Sequence, residues 1–418
     1  MTHNSPHGFD LDARASLDPS IVPLGDPVKL SAEPNAVYLT GVTGFVGAFL
    51  LRELLDTTQV VIYCLVRARS EENAMARIRE NLQDYHLWDE AFTARLIPIV
   101  GDLKLPRFGV SEELWQRLAE TIDVIYHCGS KLSYVAPYEY LEAANVGGTQ
   151  EVLRLATLVK NKPVHYVSSL GILLAYQIPE GGGEDDELDQ AKCPVVGYFQ
   201  TKYVSEKVVR IARSRGIPVT IHRIGLIVGD SRTGVSNVDD FVARMIIGCV
   251  QAGYSPNIHK AMDMTPVDYV SRAIVYLSRR DDSLGKLFHT LNPTPIHWAD
   301  IFDMVSEAGY PTQKLSFNEW VEAIEERADP EKNPLYPLLP FFHINFAARM
   351  LGIADDSHYD ALGTTTIREG LRGSAIQCPP IDSRLISTFL AEFVRTQRLH
   401  PPLNGATITA GKANAVNA

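Results

Sequence analysis

A chain of 418 residues, 45% hydrophobic and 21% charged, can bury a large core and has the balance of an ordinary globular protein, which excludes disorder throughout. A net charge of -11 with no block of positive residues argues against nucleic acid as a partner. Cys64, Cys128, Cys193, Cys249 and Cys378 are scattered and never spaced as C-x-x-C, which argues against a disulfide framework or a zinc site and for a reducing, cytoplasmic setting.

Residues 1–35 are rich in Pro, Asp and Ser and predict a leader with one anchored segment at 9–17. No apolar run approaches the roughly 18 residues of a membrane span, so no membrane contact is expected. At 36–40 a short apolar run meets a glycine-rich turn, 49–55 follows at helical spacing, and 60–66 is apolar again. That is strand, turn, helix, strand, the βαβ unit. Further apolar runs at 96–100, 124–128, 164–167 and 219–223 predict an α/β fold of Rossmann type, a doubly wound parallel sheet with helices on both faces. After about Gly229 the alternation gives way to helical patterns with aromatics, at 298–305 and 320–327, and a Pro-rich passage at 333–342. The predicted organisation is a leader, 1–35; a Rossmann domain, 36–230; a smaller, mainly helical substrate subdomain, 231–399; and a disordered tail, 400–418.

The first turn carries Gly41, Thr43, Gly44, Phe45, Val46 and Gly47, spaced G-x-x-G-x-x-G. Glycines there let the backbone approach a pyrophosphate, whose charge is met by free N–H groups at the helix N-terminus. A glycine triplet alone is weak evidence. Its position between strand and helix favours dinucleotide binding over a tight structural turn. An acid about twenty residues on would bond a ribose 2′-OH, but the chain has Arg67 and Arg69 there. A cation suits a 2′-phosphate, so the predicted cofactor is NADPH, held by Arg67 and by Arg77 from the next helix; the alternative for either is a solvated surface charge. Asp102 and Leu103, after the third strand, have the placement to meet the adenine, and Asp102 is equally placed to cap a helix.

Ser168 and Ser169 close the fifth strand, and Tyr198 and Lys202 form a Y-x-x-x-K pair. Residues four apart share a helix face, and a nearby ammonium favours tyrosinate, which makes Tyr198 a usable proton donor near neutral pH. Ser169 would hold a substrate carbonyl oxygen beside it. The dispersed histidines predict no metal site; His127, on a core strand, is placed to line the cofactor cleft. Trp298, Trp320, Phe341 and Phe342 are expected to be core.

Together the glycine turn, the Ser-Ser strand end and the Tyr-Lys pair resemble the extended short-chain dehydrogenase/reductase family. Within it, the chain looks most similar to the terminal thioester reductase domain of nonribosomal peptide synthetases and carboxylic acid reductases. The narrower likeness is carried by the segments 10–19, 127–130, 137–138, 145–149, 197–206, 229–234, 239–241 and 266–270, and it runs from about Asp10 to Arg398. The resemblance implies an acyl or peptidyl thioester on the phosphopantetheine arm of a carrier domain, reduced by NADPH. Ser169 and Tyr198 would stabilise the oxyanion, and Lys202 would hold the nicotinamide ribose. Ser130, Lys131, Asn145 and Ile224 would join Tyr198 and Lys202 in the cofactor site. Ile224 stands where the family commonly has Pro, and Ser169 where it often has Thr. The product would be an aldehyde, with further reduction to the alcohol in some relatives.

Asp282-Ser283-Leu284 imitates a carrier attachment motif but lacks the preceding Gly, so no carrier segment is expected in this chain and a monomeric reductase is. Rival expectations are an acyl-coenzyme A reductase, a nucleotide-sugar epimerase or dehydratase, and a non-catalytic NADPH sensor. The helical C-terminal third and the acidic loop at 181–189 resemble thioester reductases more than sugar enzymes, and the retained Tyr198 and Lys202 disfavour the sensor.

Overall fold

The computed structural model describes residues 8–25, 34–173, 184–259, 261–343 and 362–402. Its central sheet is built from β1 (Ala36–Thr40), β2 (Val61–Val66), β3 (Leu96–Val100), β4 (Val124–His127), β5 (Val164–Ser169), β6 (Val219–Ile224) and a seventh strand, Leu287–Thr290. From one edge the order is Leu287–Thr290, β6, β5, β4, β1, β2, β3, and every neighbouring pair is parallel. Strand β1 and strand β4 are buried along their whole length, as expected of strands covered on both faces. The chain order reverses between β1 and β4, and a ligand crevice opens at such a switch point, beyond the carboxyl ends of the strands.

The first six strands lie where the sequence predicts them. The seventh escapes a sequence reading because it is a run of only four residues, Leu-Phe-His-Thr, behind a long helix and amid patterns of helical period. Helices α1 (Leu11–Arg14), α2 (Phe45–Thr57), α3 (Glu71–Asp84), α4 (Glu112–Thr121), α5 (Tyr138–Glu142), α6 (Gly148–Thr157) and α7 (Gly197–Ser214) precede or connect the strands. Side chains start several of them: the Asn73 N–H donates to Ser70 Oγ at 3.2 Å, and the Leu114 N–H to Ser111 Oγ at 3.2 Å. Trp115, Leu118 and Ala119 put the apolar stripe of α4 into the core.

Two compact units divide the chain. The first comprises Met1–Ile224, Val270–Thr290 and Leu362–Ile376; the second comprises Gly225–Tyr269, Leu291–Ala361 and Gln377–Ala418. The second unit holds helices Phe241–Ala252, Trp298–Glu307, Phe317–Arg327 and Ser383–Arg395, with three two-stranded ladders. Trp298 and Trp320 are wholly buried there; Trp298 meets Phe241 at 6.2 Å between ring centroids, and Trp320 meets Phe342 at 5.0 Å. These aromatics are core, as expected. Within the same unit Asp263 lies against Gly225, where a Cβ would come 1.3 Å from its Oδ2, and it accepts the Leu226 N–H at 3.2 Å. Most of the expected tail (403–418) and part of the acidic loop (181–183) lie outside the described residues. Among the described residues no helix is long and apolar enough to cross a membrane, and no cluster of His, Cys, Asp and Glu could hold a metal ion.

Candidate active site

Strand β1 ends at Thr40, and the chain turns at Gly41 with φ of +84°, a conformation that suits glycine. A Cβ at Gly41 would lie 2.7 Å from the Gly129 nitrogen, and one at Gly47 would lie 2.0 Å from the Gly41 carbonyl oxygen. The turn is thus folded against the exit of β4 and under the first turn of α2. Gly44 caps α2 without a side chain, so the N–H groups of that first turn have no side-chain acceptor and are available to an anion. Asn81 braces the turn by donating to the Val42 carbonyl at 3.1 Å. Thr43 and Val46 are half-buried at this mouth. Phe45 instead turns inward, 5.2 Å from the Phe49 ring and 5.0 Å from that of Tyr85, so its backbone alone faces the turn.

At the end of β2, Arg67 is exposed, and Arg77 of α3 donates to its backbone carbonyl. Arg77 therefore fixes the backbone that presents the Arg67 guanidinium. Asp102 closes a local turn, accepting the Lys104 N–H at 3.0 Å. Leu103 packs at Gly129 and Gly148, where added Cβ atoms would come 2.8 and 3.1 Å from it.

Ser130 and Lys131 follow β4, and Asn145 pins them. Its Oδ1 accepts the Lys131 N–H at 2.7 Å, and its Nδ2 donates to the Lys131 carbonyl at 3.1 Å and to Thr201 Oγ1 at 2.8 Å. Both amide hydrogens are thereby engaged within the protein, so Asn145 shapes the 130–131 loop and ties it to α7. A π-helical turn, Ala143–Gly147, places Asn145 there, and such turns often mark functional sites.

His127 is buried, and both ring nitrogens are engaged: Nδ1 with Thr40 Oγ1 at 2.7 Å and Nε2 with Thr149 Oγ1 at 3.1 Å. Thr149 gives its own proton to the Asn145 carbonyl at 2.6 Å, so its oxygen accepts from Nε2–H, and the Thr40 hydroxyl donates to Nδ1. Burial, with the Lys202 charge, pushes His127 down to about 3, in keeping with a neutral ring. His127 joins the glycine turn to α6 from within the core.

Lys202 of α7 donates from Nζ to the Val167 carbonyl at 2.8 Å, with Nζ 5.2 Å from the centre of the Tyr166 ring. Burial pushes its ammonium down to about 8. Tyr198, one turn earlier, is 8% exposed and sits edge-on to Phe199 at 5.3 Å and to Tyr134 at 6.4 Å. The two serines of β5 part ways, as alternate strand residues must. Ser168 is buried and donates to Glu206 at 2.6 Å. Ser169 is half-buried, and its Oγ accepts the Gly171 N–H at 3.1 Å, which leaves its own proton to be donated. Ser169 pairs in register with Ile224, also half-buried.

Beneath them lies a buried ion pair that the sequence reading missed. Glu206 takes Arg223 Nη2 at 2.6 Å and Arg210 Nε at 3.1 Å, and Arg223 Nη1 meets His289 Nε2 at 3.0 Å. Burial pushes the Glu206 carboxyl up, but Arg223, Arg210 and Ser168 outweigh it and hold it at about 2. His289 donates from Nδ1 to the Gly363 carbonyl at 3.0 Å, so the network links β5, α7, β6, the Leu287–Thr290 strand and the returning segment near 363. Its signal in the sequence is the period of four: Tyr198, Lys202 and Glu206 share one helix face.

A family model described as "Male sterility protein", an NAD-binding domain, matches residues 39–274. A linear gramicidin synthase polypeptide of Brevibacillus parabrevis is 39% identical over 405 residues, 94% of this chain and 8% of that protein. The L-2-aminoadipate reductase large subunit of Penicillium chrysogenum is 35% identical over 346 residues, 78% of this chain and 24% of that protein. The chain thus spans a quarter or less of either relative. Among solved structures, the terminal R domain from the myxalamid PKS-NRPS biosynthetic pathway superposes with a TM-score of 0.84 at 39% identity, covering 94% of this chain and 98% of that one. The reductase domain of a nonribosomal peptide synthetase from Mycobacterium tuberculosis superposes with a TM-score of 0.75 at 27% identity, covering 94% and 97%.

Proposed function

The chain belongs to the family of terminal reductase domains of nonribosomal peptide synthetases, and from that membership we propose that it reduces a carrier-bound acyl or peptidyl thioester with NADPH and releases an aldehyde. The observation that carries the reading is that the glycine turn and Ser169 stand at the carboxyl ends of strands of one parallel sheet, and Lys202, one helical turn after Tyr198 on α7, is buried and bonded to the strand that bears Ser169. The linear gramicidin synthase and the aminoadipate reductase among its relatives support the thioester as substrate.

The turn fits a dinucleotide: Cβ atoms at Gly41 and Gly47 would strike backbone, so only glycines let the turn fold this tightly between β1 and α2, and α2 begins without a side-chain cap, which leaves its first N–H groups to an anion. Gly41, Thr43, Gly44, Val46 and Gly47 would hold the pyrophosphate, Arg67 the 2′-phosphate, Asp102 and Leu103 the adenine, and the 130–131 loop, Ile224 and Lys202 the nicotinamide end. When bound, the nicotinamide supplies the hydride. Ser169 donates its hydroxyl to the thioester carbonyl oxygen, and Tyr198 donates beside it, so that negative charge building on that oxygen is met by two protons in place. Tyr198 then gives its proton to the oxygen, and the Lys202 ammonium steadies the tyrosinate left behind. As the hemithioacetal collapses, its hydroxyl proton returns to the Tyr198 phenolate, the carbonyl re-forms as the aldehyde, and the carbon–sulfur bond breaks to free the carrier's thiolate, which takes a proton from water. Residues 231–399 would serve substrate and carrier, and the chain as a whole would act as a monomeric domain in the cytoplasm.

The test is NADPH consumption by the purified chain with an acyl thioester on a carrier protein, the same acyl group on coenzyme A, and the free aldehyde, with products identified by mass spectrometry. Turnover of the carrier thioester to aldehyde is expected. NADPH binding without consumption of any of the three overturns the reading.

A further inference from the structure

The segment before the first strand lies along the catalytic helix. Asp10 caps α1 by accepting the Asp12 N–H at 2.9 Å and the Ala13 N–H at 3.1 Å. Leu11, Leu17 and Ile21 are then buried as three anchors. Asp12 Oδ1 lies 2.7 Å from the Tyr203 hydroxyl and 2.7 Å from Lys207 Nζ. Arg215, just past the end of α7, donates to the carbonyls of Leu17, Asp18 and Ile21 at 2.9, 2.8 and 2.9 Å. Arg14 pairs with Glu142 at 3.0 Å and Arg154 with Asp18 at 2.9 Å, which ties the same segment to α5 and α6.

Tyr203 and Lys207 are four residues apart, as are Lys202 and Glu206, but the two pairs lie on different faces of α7. Lys202 and Glu206 face strand partners, Val167 and Arg223. Tyr203 and Lys207 face Asp12. The helix is therefore gripped from two sides, and its rotation, which aims Tyr198 and Lys202, is fixed by both. Half-exposed ion pairs of this kind contribute little energy; Asp12 is worth more as a geometric stop.

We propose that residues 10–21 form a clasp that sets the rotation of the catalytic helix, with Asp12 as its positioning residue; this rests on the reading of Tyr198 and Lys202 given above. The test is Asp12→Ala in the full chain, assayed with the carrier thioester well below its own melting temperature. The expected result is a fall in kcat of about tenfold or more, since small misplacements of catalytic groups are costly, with NADPH affinity kept and the alkaline limb of the pH profile displaced. Asp12→Asn, which still offers an oxygen to both partners, should recover much of the loss. Tyr203→Phe, which keeps the ring packing, should show the same kcat defect in milder form and serves if Asp12→Ala does not fold. An active wild type whose Asp12→Ala and Tyr203→Phe forms keep full kcat, or lose activity only in step with the unfolded fraction, overturns the clasp alone. A wild-type chain inert toward the thioester removes the functional reading and the clasp with it.

Discussion

The ammonium of Lys202 donates to the carbonyl oxygen of Val167 at 2.8 Å, two residues before Ser169 on the same strand. One contact thus ties α7, which bears Tyr198, to the strand end that bears Ser169, and it does so in a buried place where a positive charge is costly.

That cost sets a pH dependence. Burial pushes Lys202 from 10.5 to about 8, so between those values the unfolded chain holds a proton that the native one lacks, and the lysine's contribution to stability rises with pH across that window. On the proposed mechanism activity moves the other way, because loss of the ammonium would remove the support for the tyrosinate. We expect kcat/KM for the carrier thioester to fall above pH about 8, as a profile from pH 6 to about 10 would show. Lys202→Met should be nearly inactive across that range.

Tyr198→Phe removes the proton donor and little else, since the ring is held by Tyr134 and Phe199. Turnover should fall at least about 100-fold, the lower range for loss of a general acid. NADPH binding, followed by fluorescence titration, should be largely kept. Unchanged turnover removes Tyr198 from the mechanism.

Arg67→Ala should weaken NADPH by about 10- to 100-fold, the worth of a charge-assisted hydrogen bond, and leave NADH nearly unchanged. Equal weakening of both cofactors in parallel titrations would undo the 2′-phosphate assignment.

Glu206→Gln leaves Arg223, which is wholly buried, without its countercharge. Breaking one side of a buried pair costs roughly 3–5 kcal/mol, to be read from urea unfolding at neutral pH. In the wild type, burial raises and the three partners more strongly lower the Glu206 carboxyl, from 4.5 to about 2. The stability it brings is present above 4.5 and is lost as pH falls toward about 2. The variant should lack that acid-side loss.

Much of this was legible in the sequence because the residues concerned advertise themselves locally. Gly41, Gly44 and Gly47 stand between a strand and a helix, and Tyr198 and Lys202 are one helical turn apart; six of the seven sheet strands are apolar runs with clear borders. The partners that brace them are less visible. Thr40, His127, Thr149 and Asn145 meet through four different elements, and a π-helical turn that shifts the helix register has no simple period to betray it. Glu206 does lie at a suggestive spacing, four residues after Lys202, but its meeting with Arg223 depends on which strand neighbours which. Asp12, within a segment read only as anchored, gives no local sign of its partners; only the folded chain brings it to Tyr203 and Lys207.

The strand Leu287–Thr290 closes one edge of the sheet, yet it leaves the ribosome long after β6, with Gly225–Tyr269 of the other unit made in between. Until then β6 has a bare edge of unpaired N–H and C=O groups, the kind that recruits strands from other chains, and Arg223 lacks His289. The nucleotide-binding unit therefore reaches its finished form only after Gly225–Tyr269 and Leu291–Ala361 of the other unit have been made. A fragment ending at Tyr269 should express as aggregate, and one carried past Ile376, where the last piece of that unit is complete, is the shortest expected to be soluble.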